Sequence, residues 1–164
     1  KAEGVSYDYF QSDNHLMTIP EMAENGVSEG DSIYVLGFPM GIVDQDRQFV
    51  IARSGIIARI RDTLEGHKND FLVDAFVFPG NSGGPVIYKP EIISISGTKS
   101  VTKPALIGIV SCYLTYKDTA VSKQTGHTRI IFEENSGLAA VVPVDYVLET
   151  IEACFSSLDI KEKR

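Results

Sequence analysis

The sequence predicts an all-β domain, either a barrel or a sandwich, that ends in one α-helix. Segments rich in β-branched and aromatic residues recur at short intervals along the chain. Gly and Pro occupy the stretches between them, as is typical of turns between neighbouring strands. Helices that alternate with strands, the pattern of a parallel sheet, are missing from the sequence. The predicted strands are 32–38, 47–60, 70–78, 85–88, 105–114 and 137–142.

The helix is predicted from an apolar stripe that begins after Pro143. Its members recur at spacings of three and four and are Val144, Val147, Leu148, Ile151, Phe155 and Leu158. Asp145 and Glu149 lie early in the segment, where negative charge suits a helix N-terminus. We expect this helix to pack on the barrel rather than bind a partner. One short helical turn is also predicted at 20–26.

Two long polar connections remain, at 89–104 and at 115–136. Loops of this length inside a compact domain are usually functional or mobile. The second connection follows the predicted strand 105–114, and its polar, Gly-containing composition predicts a loop. We therefore expect an irregular excursion there.

Composition excludes several classes of function. The 164 residues include 15 Lys and Arg against 22 Asp and Glu, a net charge of -7, which disfavours nucleic acid as a partner. No apolar run is long enough to span a membrane. Metal-ligand spacings and phosphate-binding loops are missing, so no metal and no cofactor are predicted. Cys112 and Cys154 are read as free thiols, which favours a reducing, cytoplasmic compartment.

The stretch FPGNSGGPVI, residues 78–87, points to chemistry. Ser82 lies among glycines, whose backbone can expose N–H groups to a ligand. A serine hydroxyl is a weak nucleophile at neutral pH, so it needs a base within hydrogen-bond reach and donors for the oxyanion. The amides of Gly80 and Ser82 are the candidate donors, with Asn81 between them setting the geometry. The alternative is a turn that only links two strands.

Two families place a serine in such a frame, and its neighbours distinguish them. In an α/β-hydrolase the motif joins a strand to a helix, whereas PVIY at 85–88 reads as a strand. The segment GNSGGP, preceded by VDAFVFP, resembles the nucleophile segment of trypsin-like serine peptidases, particularly their bacterial HtrA-type branch. Further segments similar to that branch are GDSIYVLGFPMGI at 30–42, ALIGIVSCY at 105–113 and GLAAVVPVDYVLETI at 137–151.

The resemblance implies a fold and a division of the chain. Residues 31–142 would form a Greek-key, six-stranded barrel, the second of the two barrels in the trypsin-like fold. Residues 1–30 would connect it to the first barrel, and 143–164 would form the C-terminal helix and tail. Because the chain begins with Lys1 and not Met, we expect it to be a piece of a longer protein.

The resemblance also implies roles for individual residues. Ser82 would be the nucleophile of an endopeptidase that hydrolyses polypeptides through an acyl-enzyme, with Gly80, Asn81 and Ser82 forming the oxyanion hole. Phe76 stands where trypsin keeps the acid that selects basic side chains, so an apolar or small side chain is expected in the specificity pocket. The residues implied to bind substrate are Phe76, Val77, Val110, Ser111, Cys112 and Tyr113.

No histidine matches the T-A-x-H segment of the family. His15, His67 and His127 lie in polar contexts typical of surface loops, and Asp31 and Asp74 match second-barrel positions. The catalytic base and acid are therefore expected from a missing N-terminal barrel, in cis or as a separate chain, and this chain alone should be nearly inactive. Apolar surface built for that barrel would also favour a homo-oligomer.

Two other functions stay open at this point. The chain would be a binding module if it kept the trypsin-like barrel without its chemistry. It would be a self-contained serine hydrolase if His127 or His67 reached Ser82 with a local acid such as Asp118.

Overall fold

A computed structural model of the chain describes residues 9–42, 49–90 and 103–162. Its elements are α1 (Ile19–Asn25), β1 (Ser32–Gly37), a 3-10 turn (Pro39–Gly41), β2 (Ile51–Arg59), α2 (Arg61–Leu64), β3 (Phe71–Asp74), β4 (Pro85–Tyr88), β5 (Ala105–Val121), β6 (Thr128–Pro143) and α3 (Val144–Glu162). Strands dominate, as the sequence predicts. None of these described helices is long and apolar enough to cross a membrane.

The six strands close into one antiparallel barrel with the neighbour order β1-β2-β3-β6-β5-β4. Pairing of β1 with β4, through Ile33 opposite Tyr88, closes the cylinder. The structure thus decides for a barrel over a sandwich. The core inside it is mostly aliphatic, because strand residues alternate between interior and solvent and the inward positions are apolar. Its largest fully buried side chains include Phe71, Ile33, Ile57, Ile107, Val35, Val73, Val86 and Val141.

The prediction of an irregular loop at 115–136 is wrong. β5 continues to Val121, β6 begins at Thr128, and the two pair from Thr115 opposite Asn135 to Ala120 opposite Ile130. The turn between them is held by the Ser122 amide, which donates to the His127 carbonyl at 2.9 Å. Both faces of this ribbon are open to solvent, so its sequence lacks the alternation by which half-buried strands are recognised. Most of the other predicted loop, 89–104, lies outside the described residues.

The predicted C-terminal helix forms, but it packs on the barrel only where it begins. Val144 is fully buried, whereas Ile151, Phe155 and Leu158 are about half exposed or more. The predicted packing of the whole apolar stripe is therefore wrong beyond its first two turns. The start of α3 is tied to α1 because the Asp145 carboxylate accepts a hydrogen bond of 2.9 Å from the Ile19 amide.

The start of α2 depends on a carboxylate that is distant in sequence. Glu29 Oε1 accepts hydrogen bonds from the amides of Ile60 and Arg61, each at 3.1 Å. These donors favour the charged form, and the Ile60 amide contributes most to lowering the pKa of Glu29. The Arg61 guanidinium, 3.5 Å from Glu29 Oε2, acts in the same direction.

We expect Glu29→Gln to weaken the dependence of stability on pH in the acidic range. Because the pKa of Glu29 is lowered on folding, its carboxylate contributes stability above the unfolded pKa of about 4.3. This contribution is lost as the pH falls through the lower folded pKa. Urea unfolding across the acidic range measures the change. Glu152→Gln, on the exposed part of α3, is the control, and equal pH profiles for the two variants would contradict the assignment.

Candidate active site

The motif predicted to carry chemistry forms a tight loop at 78–84, between β3 and β4. The loop is closed by its own backbone, because the Asn81 amide donates to Phe78 O at 3.0 Å and the Gly84 amide donates to Asn81 O at 2.9 Å. It is joined to β5 by the Gly83 amide, which donates to Val110 O at 2.8 Å. Ser82 is exposed at its outer side. The structure therefore presents this serine on a rigid, hydrogen-bonded turn.

Asn81 is the internal support of the loop. Its side chain is fully buried, and its Oδ1 accepts a hydrogen bond of 3.1 Å from the Phe78 amide. Its Nδ2 is also buried and has no hydrogen-bond partner in the described part of the chain. Gly37 leaves the space for this amide, since a Cβ at that position would lie 2.7 Å from Nδ2. Asn81 thus acts on loop geometry through its side chain.

The amides of Gly80 and Ser82 point out of the loop for a definite reason. Pro79 O accepts a hydrogen bond of 2.6 Å from the Met40 amide, and Asn81 O is held by the Gly84 amide. The described peptide bonds are all trans, so N–H and C=O of each peptide point in opposite directions. The Gly80 and Ser82 N–H groups therefore point away from Met40 and Gly84. Neither amide has a hydrogen-bond partner among residues 9–42, 49–90 and 103–162.

Gly80 is required where the chain turns. Its φ is +98°, a conformation that L side chains rarely adopt, and an added Cβ would overlap the carbonyl oxygen of Phe38. The same Cβ would lie 3.3 Å from the Met40 amide. The segment that follows β1 thus packs directly against the loop at Gly80.

Among the described residues, no base forms a hydrogen bond with the serine. In the described ranges the Ser82 hydroxyl has no hydrogen-bond partner. His15 Nδ1 accepts the Gln11 amide at 3.0 Å, His67 Nε2 lies 3.7 Å from Glu65, and His127 lies in the turn of the ribbon. Asp118 is on the same ribbon, opposite Phe132. The structure brings neither His67 nor His127 together with Asp118 and Ser82 into a triad.

The residues predicted to bind substrate divide into two groups. Val77 and Val110 are buried members of the core, so their side chains do not line an open pocket. Phe76, Ser111 and Cys112 are exposed, and Tyr113 is half-buried against the core. The pairing of β4 with β5 ends at Ile109. Beyond this residue, that edge of β5 has no strand neighbour among the described residues.

Arg53 is a neighbour of the loop that the sequence analysis missed. Its guanidinium lies 5.0 Å from the centre of the Phe78 ring and donates to Phe76 O at 2.9 Å. The Phe76 and Phe78 rings stack with their centres 6.2 Å apart. An arginine on β2 gives no local signal of this contact, because it forms across 23 residues of sequence.

Comparison with known proteins adds no relative. No protein-family model matches the chain, and no curated protein matches it. The interpretation of the loop therefore depends on its geometry. Acyl transfer requires two parts of a nucleophile segment. They are an exposed hydroxyl and two amide donors that have no partner within the protein. The described chain holds no cluster of three His, Cys, Asp or Glu that could bind a metal ion.

Two cavities lie away from this loop. The larger, about 490 Å³, is mostly apolar and lies between β1, β4, β5 and the segment around His15. The smaller, about 240 Å³, is bordered by Asp62, Lys68 and Cys112. Ser82 lines neither of them, so the candidate site is an open surface loop.

Proposed function

We propose that the chain is the nucleophile-bearing barrel of a trypsin-like serine endopeptidase. The observation that carries the proposal is the pair of outward, unpaired amides of Gly80 and Ser82 beside the exposed Ser82 hydroxyl. A turn that only linked two strands would not need two amides left without a hydrogen-bond partner in the described chain.

The barrel supports this proposal independently of the loop. In the order β1-β2-β3-β6-β5-β4, three sequential strands are followed in space by the last strand of the chain. Such an arrangement is compatible with the Greek-key barrel that the sequence resemblance implies. The helix that follows β6 also agrees with that resemblance.

The proposed reaction assigns each described group one task. A histidine from outside this chain, oriented by a carboxylate, takes the proton of Ser82 Oγ as this oxygen attacks the peptide carbonyl carbon. The amides of Gly80 and Ser82 hold the resulting oxyanion. The tetrahedral intermediate then expels the amine, which receives the proton from the histidine. Water, deprotonated by the same base, hydrolyses the ester on Ser82 and restores the hydroxyl.

Substrate binding would use the open edge of β5. Residues 111–113 follow Val110, whose carbonyl is bonded to the loop at Gly83. An extended polypeptide can add to such an edge through main-chain hydrogen bonds. Phe76 offers no carboxylate to a basic side chain, so we expect cleavage after an apolar or small residue.

A binding module without catalysis is the second candidate. Its specific support is that the described chain brings no base to the Ser82 hydroxyl. Under this hypothesis the open β5 edge would still bind an extended peptide. Ser82 would then be dispensable, which distinguishes the two functions.

Covalent labelling of Ser82 by a fluorophosphonate, followed by mass spectrometry, tests the proposal. We expect slow labelling of this chain alone and fast labelling of a longer gene product that carries the base. Peptide hydrolysis by that longer protein should fall about 10⁶-fold in Ser82→Ala. Ser54→Ala, which removes an exposed hydroxyl from β2, is the matched control.

Two results would contradict the proposal. Equal turnover by the Ser82→Ala variant of the longer protein would favour the binding module. Ser82-dependent turnover by this chain alone would show that a base within it reaches the serine.

A further inference from the structure

The distal part of the β5–β6 hairpin is a two-stranded ribbon that extends beyond the barrel, with a contact at its base where Asn135 Nδ2 donates to Val77 O. β3 stops pairing with β6 at Leu138, and β4 stops pairing with β5 at Ile109. Residues 115–121 and 128–135, which we call the ribbon, pair only with each other in the part of the chain that the structure describes. Isolated two-stranded hairpins are marginally stable in water, so such a ribbon needs a further partner.

The ribbon carries apolar side chains on both of its faces. Ile130, Ile131 and Phe132 are 55%, 58% and 48% exposed. Because neighbouring residues of a strand point to opposite faces, Ile131 is on one face and the other two are on the opposite face. The described part of the chain places no core under either face. An exposed strand edge with this composition is a site at which another strand adds.

We propose that the free edge of β6 in the ribbon pairs antiparallel with the same edge of a second copy of this chain. The two-fold axis passes through Ile131, which lies opposite its own counterpart. Ile130 then faces Phe132 of the other copy on one side of the sheet. Arg129, whose long side chain starts at the register slip, would reach Glu133 of the other copy, and each of these contacts occurs twice because the interface is isologous.

The sequence RIIFE at 129–133 selects this register over its neighbours. Moving the axis to Phe132 would set Ile131 against Glu133. Moving it to Ile130 would set Arg129 against Ile131. Only the axis at Ile131 pairs apolar with apolar and cation with anion, and cross-strand pairs of these types stabilise a sheet.

The charged residues of the ribbon are compatible with the contact between Arg129 and Glu133 of the other copy. Arg129 has no ion pair within the described chain, and it lies at the slip in register between Ala120 and Val121, at the end of the regular ladder. Glu133 lies 2.6 Å from Lys117 Nζ on the neighbouring strand. In the dimer, Glu133 would lie between Lys117 of its own copy and Arg129 of the other.

Pairing of this kind ends at two copies. It produces a four-stranded sheet, in the order β5-β6-β6-β5, which meets the usual minimum for a stable sheet. The outer edges of this sheet are then those of β5 within the ribbon, where Lys117 and Asp118 lie. Charged side chains protect strand edges from further addition.

Sedimentation equilibrium of the full chain tests the dimer. We expect twice the chain mass of 18.0 kDa at high protein concentration, with reversible dissociation on dilution. Ile131→Lys should give a monomer, because two ammonium groups meet at the axis. Thr119→Lys, on the neighbouring strand opposite Ile131, adds the same charge away from the β6 edge and should leave the dimer intact.

A charge reversal separates contacts between copies from contacts within one copy. Glu133→Arg should weaken the dimer at least tenfold, because Arg129 then faces a second arginine. The double variant Arg129→Glu with Glu133→Arg should restore the dimer, although the contact with Lys117 stays lost. Lys117→Gln removes that internal contact alone and should have a small effect on the dissociation constant.

Crosslinking reports the axis directly. In a background without Cys112 and Cys154, Ile131→Cys should form a disulfide-linked dimer on mild oxidation, and Thr119→Cys should not. A monomer at all concentrations, a dimer indifferent to Ile131→Lys, or a failed rescue by the double charge reversal would each overturn the proposal. Far-UV circular dichroism of each variant shows that it is folded. The interface does not depend on the proposed peptidase function.

Discussion

Gly80→Ala is expected to destabilise the chain and to disrupt the candidate oxyanion hole. Alanine at φ +98° is strained by about 1–3 kcal/mol. Its Cβ would also overlap the carbonyl oxygen of Phe38, which belongs to the backbone and cannot move alone. The least costly relief is a rotation of the peptide between Pro79 and Gly80, which would break the bond from the Met40 amide and turn the Gly80 N–H inward.

Gly83→Ala is the matched control for this experiment. Gly83 also has a positive φ, +80°, but no atom lies within 4 Å of its ideal Cβ. It therefore carries the conformational strain without the overlap. Urea unfolding should show a larger loss for Gly80→Ala than for Gly83→Ala, and equal losses would mean that the approach of Phe38 has no energetic importance.

The same pair of variants tests the chemistry. If the Gly80 amide stabilises the oxyanion, peptide turnover by the protein that carries the base should fall about 10²–10³-fold in Gly80→Ala. Gly83→Ala should retain more of the activity, since its amide is already bonded to Val110 O. An unfolding effect without an effect on turnover would assign Gly80 to structure alone.

Asn81→Asp is expected to destabilise the chain by about 3–5 kcal/mol at neutral pH, the cost typical of an unpaired buried charge. Asn81 is fully buried and receives one hydrogen bond, from the Phe78 amide. A carboxylate in its place keeps that bond, but its second oxygen occupies the site where Nδ2 has no described partner. Burial therefore raises the pKa of the introduced carboxyl group above its unfolded value of about 3.9.

The sign of the pH dependence follows from this shift. A carboxyl group with a raised folded pKa binds more protons in the folded state than in the unfolded one. The free energy of unfolding of the variant should therefore be closest to that of the parent protein at acidic pH. It should decrease as the pH rises through the raised pKa. Thermal unfolding followed from about pH 4 to pH 7 covers the range above the unfolded value.

Asn81→Ala is the control without a charge. It removes the acceptor of the Phe78 amide and should cost about 1–3 kcal/mol, with a difference from the parent that does not change with pH. A pH-independent difference for Asn81→Asp would show that water or another group reaches the introduced carboxylate. Parent-like stability at neutral pH would contradict the burial of this position.

The predictions of secondary structure were correct where a local sequence pattern reflects burial. The β-branched and aromatic composition of SIYVLGF located β1, and the spacing of Val144, Val147 and Leu148 located the start of α3. The ribbon was missed because its strands face water on both sides, so the usual apolar alternation has no cause there. The distal part of α3 shows the converse error, since a continuous apolar stripe predicts a buried face that the described barrel does not cover.

Some residues of the candidate site could also be predicted from a local pattern, and others could not. Its serine, its glycines and the two candidate amides could be chosen from the motif, because a Gly-rich frame around a serine has few chemical uses. The role of Arg53 could not, since its contacts with Phe76 and Phe78 depend on the registration of β2 beside β3. The burial of Val77 and Val110 was also missed, because position in a motif does not indicate which side of the barrel wall a side chain occupies.

The sequence alone determined the all-β class, the positions of the strands inside the barrel, and the loop that presents Ser82, since these depend on neighbours a few residues apart. The extensions of β5 and β6 into the ribbon were not found. The tertiary structure decided that the sheet closes into a barrel, that Asn81 supports the loop from inside, and that Met40 and Gly84 turn the amides of Gly80 and Ser82 outward. Barrel closure, the space that Gly37 leaves for Asn81 and the bond from the Met40 amide depend on partners distant in sequence, whereas the bond from the Gly84 amide to Asn81 O is local to the loop.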